Sequence, residues 1–283
     1  MWVLLSPARA FTILFESRQS LLMPPIARLA SDTFVGHTYI GTSGWNYKHW
    51  KLRFYPPGLR QRDWLPYFAE RFNTVEINTS FYRIPKPDVV AQWAAVAPAG
   101  FRFAVKLWRG ITHYKKLLNA RAYVDNFLEV IDMLPARMRG PVLIQLPPNQ
   151  GKNVEKLREF LKEFHEASGG RWRAAVEFRN SAWLCDEVYG ILDHAHAAIC
   201  LHDMPGSVTD RENNVEFVYV RRHGSGAGKY AGSYSPEQIS ADAYRVRHWA
   251  KAGKDAFIYY NNDIDGKAIV NAQELRERVG SAG

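Results

Sequence analysis

The sequence predicts an α/β chain folded as a TIM-like (β/α)8 barrel. From Tyr39 onward a short β-rich run is followed by a segment of helical period, and the pair recurs eight times over about 245 residues, the size of such a barrel. Strands separated by helical crossovers pair in parallel. Nearly every strand also places its ionisable or amide residues in one phase near its C-terminal end, as a shared mouth requires. An open doubly wound sheet is the alternative. It lacks its usual marks: no Gly-x-Gly-x-x-Gly turn follows the first strand, and GTSGW lacks the Gly-Lys-Ser/Thr end of a phosphate loop.

The first 36 residues do not share the pattern. Apolar patches at 2–5, 11–15 and 21–23 are broken by Arg9, Arg18 and Arg28, and none reaches the roughly 18 residues a membrane span needs. Glu16, Arg18 and Gln19 also interrupt any signal-peptide core. Residues 1–36 therefore read as a poorly ordered extension or as a start assigned upstream of Met23, and residues 37–283 as the barrel domain.

Strands are predicted at 38–42, 74–78, 102–107, 142–146, 174–178, 198–202, 217–221 and 256–260, from β-branched and aromatic residues alternating with small or polar ones. Helical segments are predicted at 60–72, 88–97, 120–134, 186–197 and 271–279. Two more carry caps. Asn153 precedes a face of Val154, Leu157, Leu161 and Phe164, and Ser235-Pro236-Glu237 reads as N-cap, N1 and N2 of a helix ending near Gly253. Between His202 and Phe217 the turn formers Pro205, Gly206, Asp210, Asn213 and Asn214 predict a loop in place of a helix.

Composition is globular, with 47% hydrophobic and 23% charged residues. The formal charge of +9 and pI near 9.5 favour an anionic partner: a phosphorylated metabolite, an acidic sugar or nucleic acid. Because the basic residues are spread along the chain, a small anionic ligand is favoured over nucleic acid. The two cysteines, Cys185 and Cys200, suit a reduced, cytoplasmic protein and exclude a disulfide framework. The oligomeric state is left open.

Strand alternation selects the residues that share the mouth. They are Glu76 and Asn78 on the second strand, Lys106 on the third, Gln145 on the fourth, and Glu177 and Arg179 on the fifth. His202, or Asp203 in the shifted register, follows on the sixth, Arg221 and His223 on the seventh, and Asn261 and Asp263 after the eighth. Each has a plainer structural reading. Glu177 and Arg179 could neutralise one another, His202 could be a hydrogen-bonded core histidine, and Asn262 and Asp263 could be turn residues. The loop GSGAGKYAG after His223 could wrap an anion or serve as a lid.

In this order the residues resemble the YecE-like family, domain of unknown function 72. The matching stretches are IGTSGWNYKHW from Ile40, FYPPGL from Phe54, ERFNTVEINTSFYRIP from Glu70, FRFAVK from Phe101, ITH from Ile111, GPVLIQLPP from Gly140, AVEFRNSAW from Ala175, FVYVRRHG from Phe217 and YYNND from Tyr259. The resemblance implies a TIM-like barrel and no established reaction. Within these stretches Ser43, Trp45, Tyr82, His113 and Asn262 join the substrate-binding candidates. The chain departs from the family pattern at LHDMPG, at KLW after the lysine, and in its N-terminal extension. Trp108 thereby alters the expected surroundings of Lys106.

The favoured function is an enzyme, a hydrolase or a lyase/isomerase, acting on a small anion held by Lys106, Arg179 and Arg221. Glu76, Glu177 and Asp263 would supply acid/base chemistry. No cofactor is identified. A divalent-metal variant would draw on Glu76, Glu177, His202, Asp203, His223 and Asp263, opposed by the nearby cations. A nucleic-acid-binding barrel and a non-catalytic ligand-binding barrel are the remaining readings.

Overall fold

Eight strands, each with one apolar face toward helices and one toward a lumen, set the architecture of the computed structural model, which describes residues 35–226, 228 and 230–280. All but the last two residues of the predicted extension lie outside the described residues. The strands are β1 (Thr38–Thr42), β2 (Thr74–Ile77), β3 (Arg102–Lys106), β4 (Arg139–Gln145), β5 (Ala174–Glu177), β6 (Ala198–His202), β7 (Phe217–Arg222) and β8 (Asp255–Tyr260). All ladders are parallel, in the order β1-β8-β7-β6-β5-β4-β3-β2. The helices are α1 (Trp64–Ala69), α2 (Thr79–Tyr82), α3 (Pro87–Val96), α4 (Arg121–Ile131), α5 (Val154–Ser168), α6 (Asp186–His194), α7 (Pro236–Lys251) and α8 (Lys267–Gly280). No described helix is long and apolar enough to cross a membrane.

Alternation sorts the core into two clusters. Residues such as Val75, Ile77, Val105, Ile144, Val176 and Val220 face the helices. Residues of the opposite phase, among them Tyr39, Ala104, Leu143, Cys200, Tyr219 and Phe257, form a separate cluster inside the barrel. This lumen cluster lies in the phase that reaches the mouth as Glu76, Lys106, Gln145, Glu177, His202 and Arg221.

Closure between β1 and β2 is made differently from the other seams. At the mouth end, Ser43 bridges Glu76 and the Gly44 N–H donates to the Glu76 carbonyl at 2.8 Å. At the other end the Asn73 side chain stands in for a strand: its amide donates to the Thr38 carbonyl at 2.7 Å, and its oxygen accepts the Ile40 N–H at 3.1 Å. Between them, a Cβ on Gly41 would fall 2.1 Å from the Thr74 carbonyl oxygen. Only glycine lets the two backbones approach so closely.

The caps form as predicted. Asn153 accepts the Lys156 N–H at 2.9 Å, and Ser235 makes a reciprocal box with Gln238. No helix joins β6 to β7; instead His202 and Thr209 exchange backbone hydrogen bonds. The helices predicted at 120–134 and 186–197 each end three residues early, at Ile131 and His194, and the first and last differ more. The first is shorter than 60–72, because Pro66 cannot donate to the preceding turn and residues 61–63 wind as a 3₁₀ turn. The last begins at Lys267 rather than 271, with Asn271 buried in its middle, where its side-chain oxygen accepts from Asn262 at 2.9 Å.

Replacing Asn73 with Ala leaves the Ile40 N–H and Thr38 carbonyl without that partner. The expected cost is about 1–3 kcal/mol, read as a lowered urea midpoint at unchanged m-value; an unchanged midpoint would show that the strands close without the amide.

Candidate active site at the barrel mouth

The mouth is built on a guanidinium. Arg221, at the end of β7 and 1% exposed, donates through Nε and Nη2 to the two oxygens of Glu76 at 3.0 and 2.9 Å, and through Nη1 to Glu177 at 2.7 Å. Glu76 and Glu177 are both fully buried. The remaining capacity of Glu76 is filled by the Tyr219 hydroxyl at 2.6 Å and by the Ser43 hydroxyl. Ser43 Oγ in turn accepts from Arg221 Nη2 at 3.1 Å and from the Asn78 amide at 2.7 Å. Since the serine proton is committed to Glu76, the Asn78 nitrogen must face Ser43. Its Oδ1 is then buried without a partner among the described residues.

Glu177 has a second cation. Arg179 donates to it through Nε, and its Nη2 lies 3.2 Å from His223 Nε2. Burial alone would raise the Glu177 carboxyl, but Arg221 and then Arg179 overcome that and hold it well below the usual carboxylate range. Burial does win at His223, pulling it down to about 3 despite its contact with Glu177, and at His202 in the same direction. Both imidazoles are neutral at pH 7.

Lys106 is the exception among the charges. It ends β3, is 8% exposed, and its Nζ makes no hydrogen bond or ion pair among the described residues. Its ammonium lies 4.1 Å from the Phe81 ring centroid. Burial, and then Arg221, pull its pKa down to about 7. His113, on a π-helical turn at Gly110–Tyr114, meets Phe81 edge-on at 4.9 Å; burial and then Lys106 lower it to about 4. The next residues include Lys116, Leu117 and Asn119 at φ of 50°, 70° and 47°, a run of left-handed backbone of the kind that costs energy and concentrates at functional loops. Trp108 turns aside, over Gly110 and toward Tyr123 at 5.9 Å.

The fold thus brings together Ser43, Glu76, Asn78, Lys106, Glu177, Arg179, Arg221, His223 and Asn261, the last with its amide 3.2 Å from His223 Nδ1. Gln145 sits beside Glu177 in register. Asp263 lies on the rim, held by Trp50 Nε1 at 2.6 Å and His49 at 3.0 Å, and burial raises it to about 6 against those partners. Tyr82 is an exposed rim residue beneath Arg109. Two candidates lie elsewhere. Trp45 packs edge-on against Trp93 of α3 at 5.5 Å, and Asn262 is buried against Gly232 and Asn271. Sequence reasoning missed Tyr219, although it stands two residues before Arg221 and so in the same phase. It also missed Tyr47, whose hydroxyl donates to the Ser43 carbonyl at 2.6 Å.

The register at β6 resolves to His202, while Asp203 turns outward to accept from the Tyr234 hydroxyl at 2.5 Å and the His223 N–H at 2.8 Å. In the loop after His223, the Gly224 and Gly226 amides are engaged by the Tyr234 hydroxyl and the Ala231 carbonyl rather than left open for an anion. Tyr230 from that loop stands 5.7 Å from His223.

Of the residues named for a metal, Glu177 and His202 with His223 place donor atoms within 4.8 Å of one another. Their lone pairs are already used. Two guanidiniums occupy Glu177, and His202 spans the Phe178 carbonyl at 2.9 Å and the Met204 N–H at 3.3 Å. A cleft of about 560 Å³ lies outside the barrel between α5 and α6, lined in part by Arg158, Leu161 and Ile191, and shares no residue with the mouth.

Comparison with known proteins gives a consistent picture. A family profile described as "Protein of unknown function DUF72" matches residues 39–283. UPF0759 protein YunF of Bacillus subtilis is 26% identical over 84% of this chain and 93% of its own length. UPF0759 protein YecE of Escherichia coli K12 is 32% identical over 50% of this chain and 48% of its own. The crystal structure of a DUF72 family protein from Thermotoga maritima superposes with a TM-score of 0.76 at 26% identity, covering 86% of this chain and 99% of that one. One from Enterococcus faecalis, at 19% identity and a TM-score of 0.73 over 86% and 95%, shows likeness of fold.

Two stability outcomes follow from the electrostatics. Glu76→Gln strips Arg221 of an anion in a site without water access and is expected to destabilise by about 3–5 kcal/mol in urea unfolding. Lys106→Met acts in the opposite direction. Between pH 7 and 10.5 the unfolded chain holds the lysine proton and the folded one does not, so the native lysine makes stability rise with pH across that window. The variant should be more stable at pH 7 by up to roughly 3–5 kcal/mol and lose that slope; an unchanged slope would place the lysine in solvent.

Proposed function

The chain belongs to the DUF72 family, a family of unknown function, and from that premise we propose that its barrel mouth binds a small anionic substrate, phosphorylated, nucleotide-like or a sugar acid, and catalyses proton transfer on it. One observation carries this reading: among the described residues Lys106 is buried with no carboxylate in ion-pair reach, while both carboxylates beside it are taken by arginines. Three cations, Lys106, Arg179 and Arg221, face two anions, Glu76 and Glu177. The unmatched positive charge in a low-dielectric site attracts an anion strongly.

The uncharged groups narrow the substrate further. Asn78 Oδ1 is an acceptor in want of a donor, so a substrate carrying a hydroxyl beside its anionic group would satisfy both ends. Arg179 offers Nη1, which has no partner among the described residues, and an arginine fork suits carboxylate or phosphate.

The acid/base roles shift from those the sequence suggests. Glu76 is fully bonded, and Glu177 holds its proton too weakly to act as an acid near neutrality. Lys106, near its midpoint at pH 7, is better matched to that work, whereas His113 and His223, lowered to about 4 and about 3, hold a proton too weakly for it. A resident divalent cation is disfavoured by the guanidiniums on Glu177. The two free cysteines accord with a cytoplasmic setting.

A thermal-unfolding screen with inorganic phosphate, sugar phosphates and sugar acids at pH 7 tests the reading. An anionic compound at about a hundred times its Kd should raise the Tm by roughly 5 °C or more. The shift should shrink as pH rises above 7 and disappear in Lys106→Met. Equal stabilisation of that variant, or none by any anion, would overturn it.

A further inference from the structure

A lysine that serves only as an anion anchor keeps its charge by reaching water or a carboxylate. Lys106 finds no carboxylate within ion-pair distance among the described residues, and its contact with water is slight. The residue is 8% exposed, its apolar neighbour Phe81 lies 4.1 Å from the ammonium, and the guanidiniums of Arg221 and Arg179 bear on it from the β5 and β7 side. Glu177 and Glu76, which could have paired with it, are bonded to those guanidiniums instead. The other titratable group facing it, His113 on the turn after β3, is itself neutral at pH 7. An amine so placed holds a free lone pair for much of the time at neutral pH, because burial and the arginines pull it down to about 7. Desolvation beside a second cation is the arrangement that makes lysine a nucleophile toward carbonyl carbon.

We propose that Lys106 is a covalent catalytic residue, adding its amine to the carbonyl carbon of a small anionic aldehyde or ketone, such as a 2-oxo acid or a phosphorylated sugar, to form an imine. The inference rests on the anionic-substrate reading and specifies the reactive group of that substrate. The Nζ lone pair forms the new C–N bond as the carbonyl π pair moves to oxygen, which takes up the proton that nitrogen releases. The carbinolamine then loses that oxygen as water, with one further proton, and nitrogen supplies the electrons of the C=N bond. Neutral amine, carbonyl compound and one proton thus give a protonated imine and water, with no change of oxidation state. The protonated imine keeps one positive charge at the place where the mouth holds its unmatched charge, facing the anionic group of the substrate. It withdraws electrons from the adjacent carbon, so that a proton or a carbon fragment can leave there; hydrolysis of the imine restores the amine.

Reductive trapping tests this on the full chain. The protein is incubated at pH 7.5 with pyruvate, glyoxylate or glyceraldehyde 3-phosphate in turn, with cyanoborohydride present, and the adducts are mapped by peptide mass spectrometry. At least one probe is expected to label Lys106 ten or more times faster than any other lysine. Labelling should be slowed by inorganic phosphate and should fall with decreasing pH below 7. In Lys106→Arg the adduct should vanish. Labelling spread evenly over surface lysines, or absent from Lys106 with every probe, overturns the inference. If the oxo acids or phosphate still raise the Tm in that case, the anionic-substrate reading stands and only the covalent step falls; if nothing binds and nothing labels, both fall.

Discussion

Arg221 between Glu76 and Glu177 is the interaction on which the mouth depends. Three charges are withdrawn from water at the top of a barrel lumen, and each costs several kcal/mol to desolvate unless every lone pair and proton finds a partner. Here they nearly all do, through Tyr219, Ser43, Asn78 and Arg179. The partners come from β1, β2, β5 and β7, so the triad forms only when the barrel is closed, and any slip of one residue would turn a member out toward the helices. The seam between β1 and β2 shows how tightly the two are linked: the Ser43 side chain that completes the triad belongs to the same residue pair that bridges those strands.

Much of this was legible in the sequence because strand phase is a local property. Side chains two apart share a face whatever the rest of the chain does, so the phase holding Glu76, Lys106, Glu177 and Arg221 could be followed from strand to strand. The missing helix between β6 and β7 was likewise legible, since Pro205, Gly206 and the following asparagines encode turns locally. What phase does not encode is depth along the barrel axis or the choice of partner. Glu76 and Glu177 look alike in sequence, yet one is bonded at every lone pair and the other lies between two arginines. Tyr219 reads as one more apolar residue in FVYVRR, because the acceptor that needs its hydroxyl comes from a strand 143 residues away. Asp263 and Asn262 are adjacent in sequence but part company in space, one to the rim and one beneath the loop that follows β7.

Local signals fared worst where backbone and side chain compete. GSGAGKYAG has the composition of an anion-wrapping loop, but Gly224 and Gly226 spend their amides on Tyr234 and Ala231. Asn271 lies where the predicted helix was to start and proves to be a buried side-chain acceptor four residues inside it. In each case the partner lies outside the window that composition can see.

The triad also determines what Lys106 can be. Had either carboxylate been free, the lysine would pair with it and stay an ammonium, and the mouth would be neutral. Because Arg221 bonds to both, the lysine is left to choose between carrying an unpaired charge in a largely desolvated site and giving up its proton, and a pKa near neutrality is the physical expression of that balance. A residue of similar length and no charge, such as methionine, would fill the same space over Phe81 at lower free energy. The cost of keeping an amine there is therefore borne by the fold, and on the proposed reading an anion or a bond at that nitrogen is what offsets it.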